Sequence, residues 1–189
     1  MKLKNEAKQW LVCLAFALIW LMIYIFLNLP SSSSVHAVQE QPEGLIGLQY
    51  SEPCSNSSVK TYMDYRTITS PTSKQYQIIQ ERLTISNGFL IYDGLRIGVA
   101  LGSAFGEVGS KWDFILSSGL QLNVIKIEEK ADEHTLNGCQ HETDGSVIEF
   151  VIDTTYEGFD TYENGYLYGG NFNKLDMFSG TIEKARKVE

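Results

Sequence analysis

A single run of apolar residues near the N-terminus constrains this chain more than any other feature. Residues 10–29 read WLVCLAFALIWLMIYIFLNL, with no charged side chain and with Asn28 as the strongly polar exception. At about 1.5 Å of rise per residue, a helix of this length covers the roughly 30 Å hydrocarbon core of a bilayer. Because the run leaves no polar face, it predicts a transmembrane helix and not the core helix of a globular domain.

The charges that flank this run predict its orientation. Lys2, Lys4 and Lys8 precede it, and the next basic residue along the chain is Lys60. Since positively charged flanks stay in the cytoplasm, we expect a cytoplasmic N-terminus and an extracellular C-terminal part. Residues 35–37 (VHA) resemble a signal-peptide cleavage site, so cleavage is an alternative to a permanent anchor. The apolar run exceeds the roughly 7–15 residues usual in a signal peptide, which favours the anchor.

Composition divides the remainder into a linker and one domain. Residues 30–58 are rich in Ser, Glu, Gln and Pro and have no sustained periodicity, which is typical of a flexible stalk. The predicted organisation is therefore a cytoplasmic tail (1–9), a transmembrane signal-anchor (10–29), a Ser-rich stalk (30–58) and an extracytoplasmic domain (59–189).

The part predicted to be exported is acidic. Residues 38–189 contain 22 of the 23 acidic residues but only 12 of the 15 basic residues. Such a domain would be repelled by nucleic acid and by anionic membrane surfaces, which excludes a nucleic-acid partner. Neutral glycans, cationic peptides and protein partners fit this charge.

Local patterns in the predicted domain favour a mainly β fold with one short helix. Ser70 and Pro71 suit the first turn of a helix that should end before Asn87-Gly88. Asp93-Gly94, between two apolar runs, predicts a β-hairpin.

Two further patterns complete the predicted sheet. Ser118-Gly119 predicts a second hairpin between residues 112–117 and 120–127, and residues 147–153 form another predicted strand. Because closure removes exposed strand edges, we expect these strands to form a small closed barrel.

Cys54 and Cys139 are the cysteines outside the apolar run. In an oxidising compartment they can pair, and the long loop between them would then give about 4–5 kcal/mol in the chain-entropy model. Two free thiols are one alternative. Another is a zinc site that combines Cys139 with Asp132, His134 and His141. Their spacing matches no established metal motif, so we predict no metal and no cofactor.

Carboxylates offer the catalytic chemistry that the residues favour. Asp132 follows the apolar strand 120–127, and Glu149 and Asp153 lie in the strand 147–153, so the fold could bring Asp132 near either acid. A carboxylic acid with a raised pKa can protonate a glycosidic oxygen, while a second carboxylate stabilises the developing cation or activates water. Solvated acids at strand ends are the alternative.

An aromatic segment offers candidate binding residues. Flat rings on an adaptable glycine backbone suit sugar or peptide binding, and packing against the core is the alternative. We expect substrate binding by Tyr166 and Tyr168, together with His134 and His141. The segment contains Tyr156, Gly158, Phe159, Tyr162, Gly165, Tyr166, Tyr168, Gly169, Gly170 and Phe172.

The order of several short motifs resembles a known group of proteins. The motifs are YMDYRTIT (62–69), VALGSAFGEVGSKWDFILSSG (99–119), KADEHT (130–135) and DGSVIEFVID (144–153). In this order they are similar to uncharacterised exported or phage-associated proteins of Firmicutes. The core of those proteins resembles the double-psi β-barrel of the 3D-domain and lytic-transglycosylase type. The resemblance covers roughly residues 60–155 and implies a double-psi β-barrel-like fold.

The resemblance also implies roles for two acids. In the lytic-transglycosylase type, a barrel aspartate is the acid/base that acts on peptidoglycan. Ala131-Asp132 matches the Ala-Asp element of that pattern, and Glu149 stands where a second acid closes it. The chain departs from the pattern in two places: EHTLNGCQHET replaces the usual Gly-Gly after the aspartate, and Glu149 replaces an aspartate.

Two functions are therefore expected as alternatives for a membrane-anchored domain outside the cell. One is a peptidoglycan-cleaving enzyme of the lytic-transglycosylase type, with Asp132 as acid/base, Glu149 assisting, and peptidoglycan or another cell-surface glycan as partner. The other is a non-catalytic module that binds the cell wall or an envelope protein in secretion, conjugation or phage-related assembly.

Overall fold

The computed structural model describes residues 54–162 and 164–189, which fold into a mainly β domain with one α-helix, as predicted. Short 3₁₀ turns connect several of the elements. The α-helix and the strands are, in chain order, β1 (Lys60–Asp64), α1 (Lys74–Arg82), β2 (Leu83–Ser86), β3 (Phe89–Tyr92), β4 (Arg96–Leu101), β5 (Lys111–Leu116), β6 (Gln121–Glu129), β7 (Thr135–Leu136), β8 (Gln140–His141), β9 (Ile148–Ile152) and β10 (Ile182–Val188).

Most strands belong to one mixed sheet. Its order is β1-β9-β3-β4-β6-β5-β10, with β2 paired to β3 and an additional pairing between β9 and β4. The β1–β9 and β4–β6 pairs are parallel, and the other pairs in this sheet are antiparallel. β7 and β8 form a separate two-stranded antiparallel sheet that is not part of the main sheet.

The sheet does not close, so the prediction of a closed barrel is wrong. β1 and β10, at the two ends of the strand order, share no ladder. One backbone hydrogen bond joins their flanks, from the N–H of Ile182 to the carbonyl of Ser57 (3.2 Å). The backbone N–H of Lys60, at the start of β1, donates to the side chain of Asn171 (3.1 Å) and not to a neighbouring strand. A side chain from the C-terminal segment thus occupies the place that a closing ladder would need.

Both predicted hairpins are present. Asp93 (φ 50°) and Gly94 (φ 69°) turn the chain between β3 and β4, and Gly119 (φ 83°) does so between β5 and β6. These positive φ values explain why Gly and Asp at the turns are informative in the sequence.

The predicted helix starts later than its pattern suggests and ends before Asn87-Gly88, as predicted. Ser73, not Ser70, is the N-cap, because its hydroxyl accepts from the N–H of Tyr76 (3.1 Å). The helix ends at Arg82, and β2 continues directly from it into a hairpin around Asn87-Gly88.

β9 lies between β1 and the β3–β4 hairpin, and its residues form the centre of the core. Ile148, Phe150, Val151 and Ile152 are all fully buried, so both faces of the strand are covered. Glu149 is the polar member of this strand and is only partly exposed. The strand therefore places a partly buried carboxyl group among core residues.

The predicted membrane anchor (10–29) and most of the predicted stalk (30–58) lie outside the described residues. Within residues 54–162 and 164–189, no helix has both the length and the apolar character needed to cross a membrane.

Candidate functional site

A cleft of about 380 Å³ lies over the part of the sheet where β1, β9, β4 and β6 are adjacent. Its lining also includes residues from the segment that connects β6 to β9. The ionisable side chains of the lining are Glu128, Glu129, Lys130, His134, His141, Asp144 and Glu149. This concentration of acids with a lysine and two histidines makes the cleft the candidate site.

Strand register explains why the cleft forms around Glu149. Glu149 is paired with Thr61 of β1 on one side and with Ala100 of β4 on the other, and Ala100 is paired in turn with Glu128 of β6. Paired residues of adjacent strands project to the same face of a sheet. The small side chains of Thr61 and Ala100 therefore leave open space on both sides of the Glu149 carboxyl.

The environment of Glu149 favours its protonated form. Burial raises the pKa of Glu149 above its usual range. Lys130 and His141 lower this pKa, whereas Asp144 and Glu128 raise it further. The net effect is a carboxylic acid that keeps its proton at a higher pH than an exposed glutamate does, which is a property of general acids.

Lys130 lies in the same cleft and is 7% exposed. Its Nζ donates to the carbonyl oxygen of Ser146 (3.0 Å) and to the Oγ of Ser146 (2.9 Å). Burial lowers the pKa of Lys130, and the negative charges of Glu149 and Asp144 oppose this shift only in part. The Oγ1 of Thr61 lies 3.4 Å from the Oγ of Ser146, so two hydroxyl groups and one amine meet at this point.

The pKa of Asp144 is shifted in the opposite direction to that of Glu149. Burial alone would raise the pKa of Asp144, but hydrogen bonds from Ser146 and the charges of His141 and Lys130 bring it below its usual value. One of these bonds runs from the backbone N–H of Ser146 to Oδ1 (2.7 Å). The cleft thus contains one carboxyl group biased towards protonation, Glu149, and one biased towards ionisation, Asp144.

The two predicted binding histidines both line the cleft. The ring centroids of His134 and His141 are 6.4 Å apart. His141 accepts from the N–H of Thr143 at Nδ1 (3.3 Å), and this nitrogen lies 3.7 Å from Oδ1 of Asp144. His134 is exposed to solvent.

Asp132, the acid that the sequence favours most, is not among the residues that line the cleft. It is exposed and its Oδ1 accepts from the Oγ of Ser103 (2.6 Å). Ala131 and His134, on either side of it, do line the cleft. Of the two acids predicted to be catalytic, the structure brings Glu149 into the cleft and leaves Asp132 outside its lining.

The aromatic candidates also lie outside the lining of the cleft. Tyr168 is 5% exposed and packs against Phe172 with ring centroids 4.9 Å apart, so its ring face is not available to a substrate. Tyr166 is 58% exposed but contributes nothing to this cleft. Core packing therefore accounts for much of the segment, including Phe159.

The predicted pairing of Cys54 with Cys139 is confirmed: the two cysteines lie at disulfide distance, with Cα atoms 6.1 Å apart. This pairing removes Cys139 as a thiolate ligand for zinc. In the part of the chain that the structure describes, no three His, Cys, Asp or Glu side chains are grouped closely enough to hold a metal ion.

Lys130 and Ser146 are members of the site that sequence reasoning missed. They are 16 positions apart and belong to no recognised motif. A signal was nevertheless present, because Lys130 is the basic residue within the acidic run EEKADE at the end of a strongly apolar strand. A lysine at such a position is set for partial burial beside carboxylates.

Comparisons of the chain with protein-family models, with curated proteins and with solved structures find no match. The fold and the site define the chain as a mainly β domain with an open sheet and an acidic cleft. Any statement about its function therefore depends on the chemistry of that cleft.

Proposed function

We propose that this protein is a membrane-anchored, extracytoplasmic domain that cleaves a glycan of the bacterial cell wall, with Glu149 as the general acid. The observation that carries the proposal is the raised pKa of Glu149 in a cleft of about 380 Å³. A protonated carboxyl group can donate to the glycosidic oxygen as its bond breaks. The apolar run 10–29, preceded by three lysines, supports a single-pass anchor with a cytoplasmic N-terminus.

A lytic-transglycosylase reaction requires one carboxyl group that acts twice. Glu149 donates its proton to the leaving glycosidic oxygen, and the bond from that oxygen to the anomeric carbon breaks. The C6 hydroxyl of the same sugar then bonds to the anomeric carbon, and the Glu149 carboxylate accepts the hydroxyl proton. The product is a 1,6-anhydro sugar, no water is consumed, and Glu149 returns to its starting form. Because this mechanism needs a single acid/base, it suits a cleft whose lining lacks Asp132.

Asp144 supports the same reaction. Its pKa lies below the usual value and the pKa of Glu149 lies above it, so at a pH between the two pKa values Asp144 carries a negative charge while Glu149 keeps its proton. A fixed negative charge stabilises the positive charge that develops on the sugar ring in the transition state. Two carboxyl groups whose pKa values move in opposite directions are the pattern expected of acid catalysis with electrostatic support.

The lining of the cleft also favours peptidoglycan over anionic polymers. The carboxylates of Glu128, Glu129 and Asp144 would repel a phosphate-rich chain but attract the free amino groups of a wall peptide. His134 and His141 can hydrogen-bond to sugar hydroxyls or to peptide carbonyls. The reaction requires no cofactor.

The proposal is tested by incubating the whole 189-residue chain with purified peptidoglycan and identifying the released fragments by mass spectrometry. We expect 1,6-anhydro muropeptides from the wild type and about 10²–10⁴-fold slower release from Glu149→Gln, since this is the usual contribution of a general acid. Glu183→Gln replaces an exposed glutamate on β10 and is the matched control. No release from the wild type, or equal release from Glu149→Gln, contradicts the proposal.

A second candidate is a non-catalytic module that binds the wall or an envelope protein in secretion, conjugation or phage-related assembly. The position of Asp132 outside the cleft lining favours it, because the acid that the resemblance assigns to catalysis then has no substrate groove. This candidate predicts that the chain sediments with purified walls without releasing fragments. It also predicts that Glu149→Gln, which is inactive as an acid, sediments as the wild type does.

A further inference from the structure

We propose that Ser146 and Lys130 form a nucleophile–base pair and that the cleft catalyses acyl transfer on an ester or amide, an activity that does not rest on glycan cleavage. The Nζ of Lys130 lies 2.9 Å from the Oγ of Ser146. This distance is within the reach that proton transfer from a nucleophile to its base requires. Both residues are among those that line the cleft.

The contacts of Lys130 differ from those of the other buried lysines in the described residues. The Nζ of Lys126 bonds to two carbonyl oxygens and to Glu129, and the Nζ of Lys60 bonds to carbonyl and amide oxygens. Neither of these two amines contacts a hydroxyl group. Lys130 is the buried lysine whose amine contacts a hydroxyl, and it does so in a cleft.

The surrounding structure holds the pair in a fixed geometry. Lys130 directly follows β6, and its backbone N–H donates to the carbonyl of Leu101 at the end of β4 (3.1 Å). Ser146 lies two residues before Ile148, the first residue of β9, and its carbonyl accepts from the N–H of His141 (2.9 Å) as well as from Lys130. Both partners therefore stand at the ends of core strands, which supports a preorganised reaction geometry.

Burial also favours the chemical state that a base needs. Lys130 is 7% exposed and Ser146 is 1% exposed, so both are shielded from bulk water. This burial lowers the pKa of Lys130, although Glu149 and Asp144 face it and favour the charged form. A lysine with a lowered pKa has a larger neutral fraction, and the neutral amine is the form that accepts a proton.

The proposed reaction needs no reactant other than the acyl substrate and water. The Oγ of Ser146 bonds to the acyl carbon, and the hydroxyl proton moves to the neutral Nζ of Lys130. The bond to the leaving alcohol or amine breaks, and Lys130 returns the proton to that group. Water then attacks the acyl-serine by the same route, which releases a carboxylic acid and restores both residues.

The charges around the pair define the class of substrate. Glu128, Glu129 and Asp144 line the same cleft, so an acyl group that carries an amine is attracted and an anionic one is repelled. The expected substrates are therefore aminoacyl or peptidyl esters and amides with a free cationic group close to the bond that breaks.

The test uses the whole chain with two activated esters, p-nitrophenyl acetate and the p-nitrophenyl ester of lysine. Release of nitrophenol gives the rate, and peptide mapping by mass spectrometry locates the acyl group. We expect an acyl adduct on Ser146 and a higher kcat/KM for the cationic ester. Ser146→Ala should remove this adduct. Ser118→Ala, which replaces an exposed serine whose hydroxyl donates to the carbonyl of Ser179, should acylate Ser146 as the wild type does.

The Lys130→Arg variant tests whether Lys130 acts as a base or only as a structural cation. Arginine keeps the charge and the donors but does not give up its proton, so acylation of Ser146 should fall about 100-fold or more. Near-UV circular dichroism reports whether the variant is folded, and Lys130→Gln, a neutral side chain, replaces it if it is not. A folded wild type without an adduct on Ser146, or a folded Lys130 variant that acylates Ser146 at the wild-type rate, overturns the inference. Neither outcome depends on whether Glu149 cleaves a glycan.

Discussion

Cys54 and Cys139 join parts of the chain that are 85 positions apart, with their Cα atoms 6.1 Å from each other. The link attaches the segment before β1 to the turn between β7 and β8. The carbonyl of Gly138, in the same turn, accepts from the N–H of Ala104 (2.9 Å). The disulfide and this hydrogen bond both fix the turn. We infer that they also fix the connection between β6 and β9, which contains the turn and lines the cleft.

Removal of this disulfide should lower the stability of the domain. Because the bridge restricts a long loop in the unfolded state, we expect Cys54→Ala/Cys139→Ala to lower the free energy of unfolding by about 2–5 kcal/mol. Urea denaturation of the oxidised wild type and of the variant measures the difference. A reducing agent should destabilise the wild type and leave the double variant unchanged. Equal stability of the two proteins in oxidising buffer would contradict the prediction.

Gly102 should tolerate no side chain, because the turn between β7 and β8 packs directly on it. A Cβ at Gly102 would overlap the carbonyl oxygen of Gly138, and this neighbour is backbone, which moves only with the whole turn. We expect Gly102→Ala to lower the free energy of unfolding by about 1–3 kcal/mol or more, as overpacking usually does. Urea denaturation beside the surface control Ser118→Ala measures it, and wild-type stability of Gly102→Ala would show that the turn moves without cost.

Asp113 should be the most sensitive carboxylate for folding. It is 2% exposed and pairs with Arg96, whose Nη1 lies 2.8 Å from Oδ1, and with the guanidinium of Arg186. Replacement by a neutral group leaves two largely buried cations without their shared anion, so we expect Asp113→Asn to cost about 3–5 kcal/mol of stability. Glu183→Gln, on the exposed side of β10, should stay within about 0.5 kcal/mol of the wild type. If urea denaturation gave a change in the free energy of unfolding as small for Asp113→Asn as for Glu183→Gln, Asp113 would not be the carboxylate on which folding depends most.

Turn residues made part of the fold predictable. Asp93-Gly94 and Ser118-Gly119 mark hairpins because positive φ is needed there, and that need is local to the sequence. Asn87-Gly88 carries the same signal, but the helical pattern before it conceals β2, which follows α1 without a loop. That the sheet stays open could not be predicted, because this depends on the contact between Lys60 and Asn171 across the fold.

The site was predictable to a similar degree. Glu149 could be found because it is the acid in the middle of a strongly apolar strand. Asp132 and Tyr168 are residue types that often occur in functional sites, but Asp132 lies exposed in a turn and Tyr168 is buried in the core. The pairing of Lys130 with Ser146 arises when β6 and β9 bring the two ends of a long connection together, and no local pattern encodes that distance.

The pH dependence of stability should reveal the burial of Glu149 without any assay of activity. Burial raises the pKa of Glu149 above the ordinary value of 4.5, so in the pH range just above 4.5 the folded state retains a proton that the unfolded state has released. The unfolded state then binds fewer protons, and the free energy of unfolding falls as the pH rises through this window until the raised pKa is passed.

Glu149→Gln removes the titrating group, so the stability of the wild type relative to this variant should decrease as the pH rises from about 4 to 8. Urea denaturation at a series of pH values measures this difference. Glu183→Gln controls for the loss of one carboxylate at an exposed position. A difference between the wild type and Glu149→Gln that stays constant with pH, or that increases with it, would mean that folding does not raise the pKa of Glu149. Its carboxyl group would then be ionised at the pH where the proposed reaction needs an acid, and the cleft would lack its proton donor.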